Sequence, residues 1–513
     1  MNNNKSTFGI GRLTGWAQSL TTVALVALAG VAIASTGAMG GDPAHYGWLS
    51  LAPALATLII SFWTKNVLLG LLCGVLLGGI VTGQYNVINA FLIPSLGSER
   101  YAQILLVYLW ALGGLIGIWN KNGGAQHFAL TAAKKFVHSR RSALVFAWIM
   151  GVVFHQGGTI STVLTGTTVK PVADREGVSH EELSYVVDST ASPIATIIPF
   201  NVWPAYIAGL ITIESLATII PDQQSAITWF MKAIPFNFYA IIAVTFTLLL
   251  SMDKMFWVGG KMGAAIERAK TTGQLNRPEA KPLLSKELNV AEVPDYYQPS
   301  LLDFFVPISV LLGLSIVPWL LGGSPMIFEA FGLSVLSAMV LSVIRGMPVN
   351  DVFDAVLNGI KGVTIGAVIL GLAVTLGNVS EALGAAVFVI ENTSGVLEHV
   401  PYILPGVLML VCMFVSFSIG SSWGTYAVMY PIALPLAYTI SPDPLFFTLN
   451  FGAILGGAVF GDQCSPYSDT TVLSSMACGA DLMDHVLTQL PLALLAAGIS
   501  IILYVTIAFV SFM

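Results

Sequence analysis

The sequence predicts an all-α polytopic membrane protein whose two repeated halves carry broken or re-entrant helices. Three observations carry that reading. Of 513 residues, 55% are hydrophobic and only 9% are charged, against about 25% charged in an ordinary globular protein. Apolar runs long enough to span a bilayer recur along nearly the whole chain, each of roughly 18 residues or more. Some of these runs break into Asp, Ser, Thr and Pro and then resume apolar character. The net charge of -6 argues against a nucleic-acid partner. Cys73, Cys412, Cys464 and Cys478 lie in or beside apolar segments without paired spacing, and read as small apolar residues.

In chain order, residues 1-46 hold a polar start, an apolar run from Trp16 to Ser35 and a small-residue stretch. This segment is a first helix or a signal-like segment. A retained helix is preferred because the run is longer than a usual signal core. Residues 47-252 form a first membrane repeat, with spans expected at 47-64, 66-84, 101-119, 142-154, 194-219 and 235-252. The basic stretch 124-141 should lie along the interface. Residues 173-186 are charged and should leave the membrane. Residues 253-299 carry Lys254, Lys261, Arg268, Lys270, Arg277, Lys281 and Lys286 and read as a cytoplasmic linker. Residues 300-513 form a second membrane repeat, with spans at 300-322, 325-344, 356-378, 401-418, 423-439, 445-460 and 486-511.

The halves share an order of features. The first has Phe154-His-Gln-Gly-Gly158, then Pro171, then Asp188-Ser-Thr-Ala-Ser-Pro193. The second has Phe417-Ser-Ile-Gly-Ser421, then Pro431 and Pro435, then Asp462-Gln-Cys-Ser-Pro466. Proline interrupts a helix. An ionisable group at membrane depth is expensive and marks function by default. Paired interrupted helices in corresponding positions point to a midplane site in a fold of secondary-transporter type.

At Gly420-Ser-Ser-Trp-Gly-Thr425, Gly461-Asp-Gln-Cys-Ser-Pro-Tyr-Ser-Asp-Thr-Thr471, Asp484-His-Val-Leu-Thr-Gln-Leu-Pro491 and Val187-Asp-Ser-Thr-Ala-Ser-Pro193 the chain resembles the NhaC family of Na+/H+ antiporters, within the ion-transporter superfamily. The resemblance covers roughly residues 47-511. It implies Na+/H+ antiport by alternating access in the inner membrane of a bacterium. Relatives that carry amino acids or small carboxylates keep Na+- or H+-coupled uptake of such a solute as the alternative. Two departures bear on this choice. His155-Gln156 stands where many relatives have an acidic pair, and Gln463 stands where many have His.

The expected cation- and proton-binding residues are Asp188, Asp462, Asp469 and His155, with Asp462 and Asp469 as sodium ligands. Sodium is a hard ion served by carboxylate, hydroxyl and carbonyl oxygens. Expected substrate contacts are Ser189, Thr190, Ser192, Gln156, Ser421, Ser422, Gln463, Ser465, Ser468, Thr470 and Thr471. For the aspartates, helix capping is the competing reading. For the hydroxyls it is satisfaction of their own helix, and for His155 a hydrogen-bonded packing role. Trp203 and Trp423 read first as interfacial anchors and second as walls of a solute cavity, and Asp481, Asp484 and His485 as residues of a membrane face. Gly157, Gly158, Gly420 and Gly424 suit close packing or unwinding.

An intramembrane aspartyl protease would show Gly-x-Gly-Asp, whereas the chain reads Val459-Phe-Gly-Asp462. It also has no His-Glu-x-x-His and no Gly-Lys-Ser/Thr loop. The chain is therefore expected not to be an enzyme and to need no cofactor. Its expected partners are Na+, H+, a small organic solute under the alternative, and the lipid bilayer. A homodimer stays open. By the positive-inside rule, residues 134-141 and 253-299 should face the cytoplasm and loop 85-100 the outside. A cysteine introduced at His138 or Lys270 should react with an impermeant thiol reagent only after cells are opened. Labelling of either from outside intact cells overturns this orientation.

Overall fold

The computed structural model describes residues 45–64, 66–155, 158–282, 293–321, 326–397, 399–466 and 468–512. The expected N-terminal helix, Gln156 and Gly157 lie outside the described residues. The architecture is all-helical, with two halves of matching order, and the chain is a multi-pass membrane protein.

The helices used here are α1 (Ala52–Thr64), α2 (Val67–Val81), α3 (Gly113–Asn122), α4 (Gly124–Phe136), α5 (Arg140–Val153), α6 (Gly158–Arg175) and α7 (His180–Ser189). They continue with α8 (Ser192–Ala195), α9 (Val202–Ile211), α10 (Gln223–Ala233), α11 (Phe238–Ser251) and α12 (Gly260–Thr272). The second half brings α13 (Leu301–Leu320), α14 (Ile327–Ile344), α15 (Val349–Ala382), α16 (Ala385–Leu397), α17 (Leu404–Ile419), α18 (Ser422–Ile440), α19 (Pro444–Cys464), α20 (Asp469–Cys478) and α21 (Leu482–Phe512).

Among the described residues, five single helices are long and apolar enough to cross a membrane, four of them starting at Leu301, Ile327, Pro444 and Leu482 and the fifth covering Pro401–Ile419. Two bent pairs raise this to seven. One pair is Gln223–Phe236 with Phe238–Ser251, bent by 51°. The first-half segments expected as full spans are shorter: Gly47–Ser61, Val67–Val81 and Val202–Ile211.

One local expectation fails for a physical reason, and a second stretch folds in a way its charges do not announce. The apolar stretch 194-219 is not one span. Asn201 ends it after α8 by donating from Nδ2 to the carbonyls of Ala195 (2.6 Å) and Ile198 (2.8 Å). Its Oδ1 then accepts from Trp203 N at 2.9 Å and starts α9. The charged stretch 173-186 is exposed at Arg175 and turns inward after it. After the turn at Gly177 (φ +72°), α7 is buried along its whole length. Glu181 and Glu182 are 2% and 1% exposed, and pair with Arg268 and Arg140. Buried carboxylates survive only when paired in this way.

The halves pack reciprocally. Helix α6 lies on α20 of the other half, while α18 lies on α9; α7 touches α20, while α19 touches α8. Both α7 and α19 pack against α11 and α21. The C-terminal ends of α7 and α19, which carry Asp188 and Asp462, therefore meet inside the molecule. All four cysteines are buried and unbridged.

Helices α3 and α15 cross at backbone distance through glycine. A Cβ on Gly359 would lie 2.0 Å from the Gly113 carbonyl oxygen, and one on Gly117 would lie 1.9 Å from that of Ala355. Small residues at such crossings let helices associate closely in membranes. Gly359→Ala should cost about 1–3 kcal/mol, the usual scale of overpacking, and lower the midpoint of thermal unfolding of the purified protein. An unchanged midpoint refutes the close crossing.

Candidate functional site

Helix α19 is buried from Phe446 to Cys464 and ends where Ser465 turns extended ahead of Pro466. Ser465 Oγ donates to Phe417 O at 2.7 Å and pins this break to the end of α17. Helix α17 itself stops at Gly420, which takes the left-handed conformation (φ +68°) that suits glycine. The freed carbonyls of α19 find hydroxyls. Thr470 Oγ1 donates to Asp462 O (3.0 Å) and Thr471 Oγ1 to Gln463 O (2.9 Å).

The Asp462 side chain, 3% exposed, is held by three serines from three separate stretches. Ser192 at the start of α8 donates to Oδ2. Ser422 at the start of α18 donates to the same oxygen at 3.1 Å. Ser468 donates to Oδ1 at 3.0 Å. Ser468 occupies the N-cap position of α20, yet its side chain makes no cap bond. A serine there normally satisfies its own helix; this one serves the carboxylate. Once each hydroxyl has given its proton to Asp462, its oxygen lone pairs remain available. The result is an oxygen-rich centre with one buried negative charge.

A second carboxylate lies next to it in the network. Asp188, fully buried, accepts on Oδ2 from Gln489 Nε2 at 3.1 Å and faces His485 Nε2 at 3.1 Å. The two centres are joined by Gln463. Its Nε2 donates to Ser189 Oγ (2.6 Å), its Oε1 accepts from Tyr239 Oη (2.6 Å), and its carbonyl accepts from Gln489 Nε2 (2.7 Å).

The structure thus brings together Asp188, Ser189, Ser192, Ser422, Asp462, Gln463, Ser468, Thr470 and Thr471 of the expected residues. Asp469 is exposed at the first turn of α20, where the helix dipole favours a negative charge. Thr190 bonds its own helix at Val186 O, and Ser421 caps α18. His155 is buried, with Nδ1 on Val152 O, and its carbonyl accepts from Asn201.

Trp203 is not an interfacial anchor, and half-buried Trp423 packs on it. Trp203 is 2% exposed, and the two rings stack with centroids 4.2 Å apart, with Tyr206 and Tyr426 beside them. Among the described residues no group of three His, Cys, Asp or Glu gathers as a transition-metal site would.

The model of the Na+/H+ antiporter family matches residues 202–509, more than half the chain. The chain belongs to the Na+/H+ antiporter family. The matched stretch contains Ser422, Asp462, Gln463, His485 and Gln489, and begins after Asp188 and Ser192. An uncharacterized protein of Haemophilus influenzae is 29% identical over 90% of this chain and 91% of its own. The malate-2H+/Na+-lactate antiporter of Bacillus subtilis is 28% identical over 42% of this chain and 45% of its own. In fold, the chain is similar to the YdaH transporter of Alcanivorax borkumensis, with a TM-score of 0.55 at 14% identity, covering 83% of this chain and 88% of that one.

In this family member, sequence reasoning missed His485, Gln489, Tyr239 and Asn201. His485 is fully buried rather than at a membrane face. His485 and Gln489 stand four apart on the mostly apolar α21, so they share one helix face; that spacing was the available signal.

Gln463→Leu should strand Tyr239 Oη and take a donor from Ser189 Oγ. Each buried polar group left unpaired costs about 1–3 kcal/mol. The melting midpoint should fall, and Tyr239→Phe added to it should cost less than it does alone. Strict additivity of the two changes refutes the bridge.

Proposed function

We propose that the protein exchanges sodium for protons across a bacterial inner membrane by alternating access, with Asp462 as the sodium-binding carboxylate. The observation that carries this reading is the triple-serine cradle around Asp462. Three hydroxyls and a carboxylate provide the hard oxygens sodium prefers, at a broken helix of the kind that holds coupling ions in secondary transporters. Ser192 comes from one half, and Ser422 and Ser468 from the other. A relative movement of the halves therefore changes the coordination, which is what alternating access requires. Asp469 at the mouth of α20 and His155 are assigned to cation and proton handling, and Asp188 to proton handling alone. Family membership supports ions as the substrates.

A second reading is coupled transport of an amino acid or small carboxylate. Two observations favour it. Trp203 Nε1 is buried without a hydrogen-bond partner, a free donor within the stacked aromatic cluster. The Bacillus subtilis relative is named for organic acids exchanged with protons and sodium.

Purified protein in liposomes decides between them. An imposed sodium gradient should drive proton flux, read by an internal pH dye, and Asp462→Asn should abolish it. Sodium should also raise the thermal midpoint of the parent but not of Asp462→Asn, since a ligand at a hundred times its Kd adds about 2.7 kcal/mol. Uptake of a labelled organic solute without sodium-driven proton flux overturns the exchange reading in favour of the second.

A further inference from the structure

The pair His485–Asp188 lies apart from the serine cradle, and its hydrogen bonds fix which atom of the imidazole is free to take a proton. Ser474 Oγ donates its one proton to Thr471 O at 3.0 Å. Toward His485 Nε2, 3.1 Å away, the Ser474 oxygen therefore acts as an acceptor. Asp188 Oδ2, also 3.1 Å from Nε2, is an acceptor as a carboxylate. A ring nitrogen facing two acceptors carries the hydrogen. Nδ1 is then the bare nitrogen, and it is buried with no hydrogen-bond partner in a residue that is 0% exposed.

We propose that His485 Nδ1 is the proton-loading atom of a proton-only centre with Asp188 as its counter-charge, distinct from the sodium-binding cradle of Asp462. The inference rests on the exchange reading above and deepens it. Proton uptake at Nδ1 converts a neutral imidazole beside a lone carboxylate into an imidazolium–carboxylate pair, which removes the net buried charge. Sodium at Asp462 places a positive charge one residue from Gln463, whose side chain reaches Ser189 and whose carbonyl is bonded by Gln489. Like charges brought into one low-dielectric network oppose each other. Sodium binding therefore expels the His485 proton, and protonation expels sodium, without the two ions sharing a carboxylate.

The neighbouring titratable groups leave this role to His485. On α7, Glu181 and Glu182 are tied to Arg268 and Arg140, and His180 to Asp174; Tyr185 and Asp188 complete that face. Helix α11 brings Tyr239, bonded to Gln463. Helix α12 brings Arg268, with Lys261, Glu267 and Lys270 on the same helix, α17 brings Cys412, and Tyr402 precedes α17. Helix α19 brings Asp462 and Cys464, and α20 brings Asp469 and Cys478. On α21 itself, Asp484 pairs with Arg277, and Tyr504 donates to Phe236 O. Among these, Asp188 is the carboxylate that bonds His485.

The test is sodium-triggered proton release from the purified full-length protein in weakly buffered detergent, followed with a pH-indicator dye. Choline chloride is the control, and sodium-induced thermal stabilisation is measured in parallel. Wild-type protein should release protons on sodium addition. His485→Gln should drop to the choline baseline and still be stabilised by sodium. Asp188→Asn should show the same loss, and the double variant no more, which keeps the test open should His485→Gln not fold. Proton release from His485→Gln equal to wild type overturns the proposal and leaves the exchange reading standing. Loss of both release and sodium stabilisation in His485→Gln also overturns it, since His485 would then merely hold the cradle together. Absence of release from wild-type protein overturns the exchange reading, and this proposal with it.

Discussion

The structure depends on keeping the Asp462 carboxylate inside the protein. A charged oxygen pair at this depth costs several kcal/mol unless hydrogen bonds replace its water. Three serine hydroxyls replace it. They arrive from the start of α8, the start of α18 and the loop before α20. Each arrives there because a helix has been broken, between α7 and α8 in the first half and at Gly420 and Pro466 in the second. The breaks are thus the means of supplying donors to one carboxylate, and Ser468 gives up its capping bond to take part.

Reciprocal packing follows from the same need. Each aspartate takes at least one partner from the other half. Asp188 of the first half is bonded by Gln489 of α21, and Asp462 of the second by Ser192 of α8. The polar groups of each break are completed across the interface between halves, within a network that passes through Gln463. Such a network ties the geometry of one centre to that of the other.

Much of this was legible in the sequence. Low charge and long apolar runs fixed the class, and the two Asp…Ser-Pro breaks located both carboxylates. The serine partners were visible as residue types near those breaks. Which hydroxyls would reach Asp462, and which would cap their own helix as Thr190 does, depends on three-dimensional crossings that local pattern does not encode. The burial of Glu181 and Glu182 was not legible in their run of charges. Their partners Arg140 and Arg268 lie about 40 and 90 residues away in sequence. Trp203 was misread because tryptophan favours interfaces, and only the meeting of α9 with α18 puts its ring in contact with Trp423. His485 sat in a motif already noticed, but a histidine close to Asp481 and Asp484 at a helix start resembles a membrane-face residue until α7 is laid against it.

The polar segment between the halves acquires a mechanical meaning from its bonds. Helix α12 and the residues after it lie across the start of α7 and the turn joining α20 to α21. Arg268 holds Glu181 with both carboxylate oxygens, Leu275 O accepts from His180 N, Asn276 Nδ2 reaches Gly479 O, and Lys281 N donates to Asp481. These bonds come from one short stretch of chain, so they behave as a latch rather than as independent surface contacts. Any excursion that parts α7 from the Gly479 turn must release the latch as a unit. These hydrogen bonds and the Arg268–Glu181 ion pair thereby set the cost of any parting at that end of the bundle.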